Sequence, residues 1–265
     1  MLKLYHNEMS VCAQKVRIVL AEKNLAWESV HLNLFAGEAR TVEYKKLNPN
    51  GVVPTLITED GEVIIESTII TEYLDDAFPL PSIKPPTPYL TAQTRLWAKK
   101  IDDWVHAGTA TVSNAVAFRF KHLEGKTEEE IKQYYNAIPD PARRERLWDL
   151  AMNGTDSKYF STTILQFEAL FKMMDLTLTE HTWLAGENYS LADIALTPYI
   201  ARFDHLALMK LFDNRPAIVR WYNKVRERDS YKTAIEDWLD HDLVSFMSEK
   251  GQEAFGEINS IIHTN

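Results

Sequence analysis

A cluster of five prolines between residues 79 and 88 is the strongest constraint on how this chain of 265 residues can fold. Each proline lacks a backbone N–H donor, so neither a helix interior nor a central strand tolerates such a density. We therefore predict a proline-rich linker at residues 81–90. It separates a first domain at residues 1–80 from a second domain at residues 91–265, and the two domains carry different hydrophobic patterns.

The first domain has the pattern of a small α/β fold. Apolar residues alternate at positions 2–4 and again at 30–34, as they do in strands, and a helical pattern lies between them. Two further apolar runs, 53–57 and 63–65, flank a polar turn at 60–61 and predict a hairpin. An amphipathic helix follows, so the predicted order is βαβ and then ββα.

The second domain is predicted to be all-helical. Apolar residues recur at helical spacing between positions 96 and 105 and between 165 and 174. A break near residues 137–141 interrupts the helices with two prolines. Ser190 and Asp193 have the spacing of a capping box, so we interpret them as determinants of folding and leave them out of the active site.

Composition excludes several classes of function. A net charge of −9 without a basic cluster argues against a nucleic-acid partner. No apolar run reaches the roughly 18 residues of a membrane span, so we predict no membrane partner and a cytoplasmic location. The single cysteine, Cys12, excludes an internal disulfide, and the eight histidines show no metal-ligand spacing, so we predict no metal.

Two short motifs of the first domain predict a binding site. A cis bond between Val53 and Pro54, at the start of a strand, would leave backbone groups free to pair with a peptide ligand. Glu66 and Ser67 open the next helix, where free N–H groups favour an anion and an acidic side chain can hold an ammonium. Together these residues fit the two charged ends of an amino acid.

The chain resembles the cytosolic glutathione transferase family over nearly its whole length. The resemblance implies a thioredoxin-like N-terminal domain followed by an all-α C-terminal domain. It implies that Val53 and Pro54 lie beside the cysteinyl moiety of glutathione. The motif residues that carry it are Val53-Pro54, Glu66-Ser67, Thr68-Ile69-Ile70-Thr71-Glu72-Tyr73-Leu74 and Ser190-Leu191-Ala192-Asp193.

The same resemblance assigns the remaining contacts to the tripeptide. Glu66 and Ser67 are expected to hold the γ-glutamyl end, and Arg40 is expected to contact the glycyl carboxylate. Glutathione is then a co-substrate. A homodimer is also expected from the family.

The resemblance to serine-type members indicates Ser10 as the donor of a hydrogen bond to the glutathione sulfur. Alternatively, Ser10 is only the N-cap of the first helix. Cys12 is a competitor, because it could form a mixed disulfide with glutathione, although its position predicts that it points into the domain. Tyr5 is a further candidate donor, which we expect to be a packed aromatic instead.

We predict that the enzyme conjugates glutathione to an aromatic or hydrophobic electrophile. The closest resemblance is to bacterial glutathione-dependent β-etherases, so β-aryl ether cleavage is an expectation. A non-catalytic binding or regulatory protein with this fold, and a thiol transferase dependent on Cys12, remain alternatives. From the position of the second substrate in the family, the acceptor pocket is expected to include Met9, Trp104, Gly108 and Thr111.

Overall fold

The computed structural model describes residues 1–264, so the last residue of the predicted second domain, Asn265, lies outside the described residues. The elements of the first domain are β1 Leu2–His6, α1 Val11–Glu22, β2 Trp27–His31, α2 Val42–Lys45, β3 Thr55–Ile57, β4 Val63–Ile65 and α3 Ser67–Ala77. The four strands form one sheet in the order β2-β1-β3-β4. β1 pairs with β2 in parallel and with β3 antiparallel, and β3 pairs with β4 antiparallel.

The predicted βαβ unit is confirmed, but its second strand lies earlier than expected. β2 ends at His31, whereas the alternating pattern predicted a strand through Leu34. The reason is that β1 ends at His6, which pairs with His31. After one last bond from Leu32 N–H to the His6 carbonyl, the chain has no neighbouring strand to pair with.

The predicted hairpin is also confirmed, with a shorter first strand. β3 begins at Thr55, because Pro54 has no N–H to give to the ladder. Gly61 has φ of +86° in the turn, where a residue without Cβ carries no steric cost. In α3, Ile70 and Leu74 are fully buried, whereas Ile69 is 57% exposed, although the apolar stripe had included it.

The chain after residue 87 is helical, as predicted. Its first helix starts at Pro88 with Thr87 as N-cap, inside the predicted linker, because a proline is well suited to the first helical position. Within residues 88–264 the only β structure is an isolated bridge between Trp183 and Gly186. The helices are α4 Pro88–Lys100, α5 His106–Ser113, α6 Arg119–Leu123, α7 Glu128–Asn136, α8 Pro141–Asn153, α9 Phe160–Glu180, α10 Leu191–His205, α11 Pro216–Arg226, α12 Asp229–Ala234 and α13 His241–Thr264.

Helices α4 to α6 follow one another almost without interruption, and we call residues 88–123 the helical rod. Two π-helical segments, which are wider than an α-helical turn, interrupt it, and we call them its wide turns. π-helical segments at Ile101–Val105 and Asn114–Phe118 join α4 to α5 and α5 to α6. Each wide turn changes which residues of the rod face the first domain. None of the described helices is long and apolar enough to cross a membrane.

Helix α10 lies at the centre of the second domain, and its start has the predicted capping box. The Ser190 side chain and the Asp193 side chain each bond the backbone of the other residue. Asp193 is fully buried, and its Oδ1 also accepts from the Leu184 backbone and from Trp221 Nε1, both at 2.9 Å. The box therefore joins three segments of the second domain.

Candidate active site

A cavity of about 540 Å³ lies between the two domains. One wall consists of the loop before α1, the segment before β3 and the start of α3. The other wall comes from the helical domain, mainly from α5, α7 and α8. The predicted site residues Met9, Ser10, Arg40, Val53, Pro54, Glu66 and Ser67 all line this cavity, as does Cys12.

The segment before β3 offers unpaired backbone groups to the cavity. The Val53-Pro54 bond is cis, as the sequence predicted. The preceding carbonyl, that of Val52, accepts from Tyr44 Oη at 2.8 Å and from Asn48 Nδ2 at 2.9 Å. Among the described residues, neither the N–H nor the carbonyl of Val53 has a hydrogen-bond partner. Val53 can therefore bond the main chain of a peptide.

The start of α3 has free N–H donors beside that segment. Its N-cap, Glu66, makes no side-chain capping bond and holds φ of +68°, which a non-glycine residue rarely adopts. Such a backbone costs about 1–3 kcal/mol and persists where the surroundings enforce it. Asn50 Nδ2 donates to Glu66 Oε1 at 3.2 Å, and Ser67 is buried. An anion at this helix start would meet both free N–H groups and the Ser67 hydroxyl.

Arg40 is held in the cavity wall by the helical domain. Its Nη1 donates to the Tyr134 carbonyl at 2.8 Å, and its guanidinium lies 4.2 Å from the centre of the Tyr134 ring. No ion pair of Arg40 with a carboxylate occurs among residues 1–264 within 4.0 Å. Its remaining donors can bind a carboxylate of a ligand.

Ser10 is the N-cap of α1, and this role leaves its hydroxyl proton free. Its Oγ accepts from Ala13 N–H at 3.3 Å, which satisfies one donor of the first turn. Capping uses an oxygen lone pair, so the O–H can still donate into the cavity. The two interpretations of Ser10, helix cap and sulfur ligand, are compatible.

Cys12 does not point into its own domain, contrary to the expectation from its position. Its Sγ lies 3.3 Å from His106 Nδ1 and 3.7 Å from Tyr199 Oη, two residues of the helical domain. Burial raises the pKa of the Cys12 thiol, but the charge and hydrogen bond of His106 and the charge of Lys15 outweigh it and lower the pKa to about 6. The thiolate in turn raises the pKa of His106. The pair favours thiolate and imidazolium.

Lys15 is a second cationic group near the start of α1, in addition to His106, and it is buried. Lys15 is 1% exposed, and its Nζ donates to Thr68 Oγ1 at 2.8 Å. Thr68 Oγ1 in turn donates to Asp102 Oδ1 at 2.9 Å. Burial lowers the pKa of Lys15, while the charges of Cys12, Asp102 and Glu66 raise it. The lysine thus lies among the anionic groups of both domains.

The pH dependence of Cys12 alkylation tests this arrangement. We expect the rate with iodoacetamide to reach its half-maximum near pH 6, because the thiolate is the nucleophile and forms as the pH rises through the lowered pKa. The chain has one cysteine, so the label reports this site alone. His106→Gln should move the midpoint upward, and Ser10→Ala should leave it in place. A midpoint near pH 9 in the wild type would contradict the pairing.

Three of the four predicted acceptor-pocket residues do not line the cavity. Met9 does, but Trp104, Gly108 and Thr111 face away from it. The Trp104 ring packs on Phe167 of α9 at 5.3 Å, and a Cβ on Gly108 would lie 3.0 Å from the same ring. The cavity face of the rod is instead the stripe Asp102, His106, Ala107, Thr109, Ala110, Ser113 and Asn114.

Sequence reasoning missed the residues that the helical domain contributes to the cavity. His106 is a lone histidine in an amphipathic helix, and no local spacing relates it to Cys12, 94 positions away. Further lining residues of the helical domain that the prediction missed include Phe118, His122, Tyr134, Tyr135, Arg143 and Arg146, and Phe35 was missed in the first domain. Tyr5 packs on Tyr44 with ring centres 5.6 Å apart and does not line the cavity.

No metal site accompanies these groups in the part of the chain that is described. Among residues 1–264, no group of three or more histidine, cysteine or acidic side chains is arranged to hold an ion.

Comparison with known proteins gives consistent matches. Residues 9–77 match the family described as glutathione S-transferase, N-terminal domain, and residues 156–229 match glutathione S-transferase, C-terminal domain. Protein LigF of Sphingobium sp. (strain NBRC 103272 / SYK-6) is 30% identical over 261 residues, which cover 94% of this chain and 98% of that protein. Glutathione S-transferase Z2 of Arabidopsis thaliana is 30% identical over 240 residues, which cover 89% of this chain and 91% of that protein.

A solved structure agrees with these sequence matches. The crystal structure of beta-etherase LigF from Sphingobium sp. strain SYK-6 aligns with a TM-score of 0.80 at 27% identity. The alignment covers 89% of this chain and 99% of that chain. The likeness therefore extends over both domains.

Proposed function

The chain belongs to the glutathione S-transferase family and is an enzyme, and from that premise we propose how its cavity transfers glutathione to an electrophile. The observation that carries the proposal is the meeting of three features at one cavity. These are the unpaired backbone of Val53, the uncapped start of α3 at Ser67 and the free hydroxyl of Ser10.

The tripeptide is held by groups of the first domain. The N–H and carbonyl of Val53, beside Pro54, pair with the main chain of the cysteinyl residue. Ser67 and the free N–H groups of α3 bind the γ-glutamyl carboxylate, and Glu66 binds the neighbouring ammonium. Arg40 binds the glycyl carboxylate.

This placement brings the glutathione sulfur to the start of α1, where Ser10 stabilises the thiolate. A free thiol has a pKa of about 8.5, and lowering it by about 2 units needs about 2.7 kcal/mol. A hydrogen bond to a charged group contributes about 1.5–3 kcal/mol, and the helix start adds a fraction of that. The Ser10 hydroxyl together with the helix start is therefore sufficient in magnitude.

The reaction is attack of this thiolate on an electrophilic carbon. A C–S bond forms while the bond from carbon to the leaving group breaks, and the leaving group departs with the electron pair as an aryloxide or halide. The proton lost by the glutathione thiol balances the released anion. The beta-etherase LigF, which this chain resembles over both domains, leads us to propose a β-aryl ether as one substrate class.

Substitution of Ser67 tests glutathione binding. Ser67→Ala is expected to weaken binding about tenfold, because the γ-glutamyl carboxylate loses one charge-assisted hydrogen bond. Titration calorimetry with reduced glutathione measures this directly, and Ser82→Ala in the exposed linker is the matched control. If the wild type gave no heat at millimolar glutathione, the proposal would fail and a non-catalytic binding protein would be the better interpretation.

A second candidate activity is favoured by the contact between Cys12 and His106. In a thiol transferase, the Cys12 thiolate would attack a glutathione-containing disulfide, forming a mixed disulfide and releasing one thiolate. A glutathione thiolate would then attack the glutathione sulfur of the mixed disulfide, releasing glutathione disulfide and restoring the Cys12 thiolate. Cys12→Ala distinguishes the two activities, because it would abolish reduction of hydroxyethyl disulfide but leave conjugation to electrophiles intact.

The assembly and location of the enzyme are part of the same proposal. A homodimer is typical of the family that the chain belongs to, and light scattering coupled to size exclusion would measure twice the chain mass of 30.5 kDa. A cytoplasmic location, expected from the sequence, stays a prediction.

A further inference from the structure

The helical wall of the cavity contains a cluster of cationic and polar side chains that the proposed reaction does not use. Arg143 and Arg146 lie three residues apart on α8, and therefore on the same side of that helix. Tyr135 of α7 and His122 of α6 line the same cavity. We call these four residues the arginine cluster.

Neither guanidinium group of the arginine cluster is in direct contact with a carboxylate among the described residues. Among residues 1–264, neither Arg143 nor Arg146 forms an ion pair within 4.0 Å, and Arg146 Nε is buried without a hydrogen-bond partner. Asp140, whose charge acts on both, uses its Oδ1 to cap α8 by accepting from Ala142 N–H at 2.9 Å. Both arginines are only partly exposed to water, so a guanidinium group here that contacts no carboxylate is suited to binding an anionic ligand.

Electrostatic repulsion within the cavity wall supports the same conclusion. Burial lowers the pKa of Arg143, and the charges of Arg40 and Arg146 lower it further. The like charges of Arg40 and Arg146 therefore both act on Arg143 in a partly desolvated site. An anionic ligand would relieve this repulsion and pair with the guanidinium groups in a forked geometry.

Two neutral groups add unused polar atoms to the site. Tyr135 is 2% exposed, and its buried hydroxyl has no partner among the described residues. Burial raises the pKa of Tyr135, so the hydroxyl stays protonated and can donate. His122 Nδ1 is also without a partner, and burial with the charges of Arg40 and Lys126 lowers the pKa of His122 to about 3.

The walls beside the arginine cluster are aromatic. The rings of Phe35 and Phe118 meet edge to face with centres 5.7 Å apart, and both line the cavity. The Tyr134 ring, stacked under Arg40, is a further aromatic surface. A flat apolar group fits such walls, and an anionic group on it would reach the cluster.

We propose that the electrophile conjugated by this enzyme is an aromatic carboxylate, and that Arg143 and Arg146, with the Tyr135 hydroxyl, bind its carboxylate. The inference rests on the proposed function, because it assigns the acceptor side of the same cavity. In the proposed function, Arg40 binds the glycyl carboxylate of glutathione. Arg143 and Arg146 therefore remain available to bind a second anion. The carboxylate orients the electrophile and takes no part in bond making.

Binding of two synthetic glutathione conjugates tests the proposal. S-(4-carboxy-2-nitrophenyl)glutathione and S-(4-carbamoyl-2-nitrophenyl)glutathione differ only in whether the ring bears a carboxylate or an uncharged amide. We expect calorimetry to show about ten- to a hundredfold tighter binding of the carboxylate. Arg143→Gln and Arg146→Gln should each reduce this preference, and the double variant should bring it close to one.

The amide conjugate serves as an internal control for folding, because its affinity should change little in these variants. Lys132→Gln, which removes an exposed charge of α7 outside the cavity, should keep the wild-type preference. Equal binding of both conjugates by the wild type would overturn this inference alone. An equal loss for both conjugates in Arg143→Gln would also overturn it, because the arginine would then serve the glycyl carboxylate. If neither conjugate bound the wild type, the proposed function itself would fall.

Discussion

Replacing Ser10 by alanine lowers kcat by about 10- to 100-fold at neutral pH and changes glutathione affinity little. The expected factor corresponds to loss of one hydrogen bond to a thiolate, about 1.5–3 kcal/mol. The pKa of the bound glutathione thiol should then rise toward that of the free thiol. The variant should therefore regain much of its activity at high pH, which a damaged fold would not do.

The pH profile of kcat with 1-chloro-2,4-dinitrobenzene, together with calorimetry for glutathione, measures both parts of this expectation. Cys12→Ala is the matched control, since it lies on the same helix and lines the same cavity. Unchanged turnover in Ser10→Ala would remove Ser10 from the mechanism. Loss of turnover in Cys12→Ala would instead indicate that Cys12 takes part in the chemistry at sulfur.

Replacing Asp193 by alanine is the second change with a large expected effect, and it acts on stability. The buried carboxylate accepts from the backbone N–H groups of Leu184 and Ser190 and from Trp221 Nε1. Without it, these three donors and the Ser190 hydroxyl lose their acceptor, and each unsatisfied group costs about 1–3 kcal/mol. We expect the free energy of unfolding to fall by about 3–5 kcal/mol, a large part of the usual total.

Equilibrium unfolding in urea, followed by tryptophan fluorescence, gives this difference. Asp213→Ala is the control, because Asp213 is exposed and its side chain does not cap α10. Asp193→Asn keeps one carbonyl acceptor and should lose roughly half as much, so it remains measurable if the alanine variant does not fold. A loss below about 1 kcal/mol for Asp193→Ala would show that other groups hold α10 in place.

The order of elements in the first domain followed from local patterns. Alternation of apolar residues, a turn at Gly61 and a helix beginning at Ser67 each depend on neighbours within a few positions. The end of β2 was misplaced because a strand ends where its partner ends, and the partner, β1, is distant in sequence. Ile69 is exposed for a related reason: the spacing of apolar residues predicts the apolar face of a helix, but it does not specify which other segments pack on that face.

The first-domain half of the cavity was also accessible from sequence, because its residues belong to short motifs. Val53 with Pro54, and Glu66 with Ser67, lie close together along the chain, and all four line the cavity. The acceptor half was not accessible. Trp104 and Gly108 were chosen from the correct helical rod, but they face Phe167 of α9.

The sequence by itself determined the two-domain division, the βαβ-ββα order and the motifs at Val53 and Ser67, because prolines, periodicity and helix starts act locally. Only the tertiary structure decided that Cys12 meets His106 and that Arg143 and Arg146 lie unpaired in the cavity wall. Both the Cys12–His106 contact and the position of the two arginines bring together segments that are far apart in sequence. The wide turns of the helical rod and the packing of whole helices set the direction of these side chains, and local sequence patterns do not specify either.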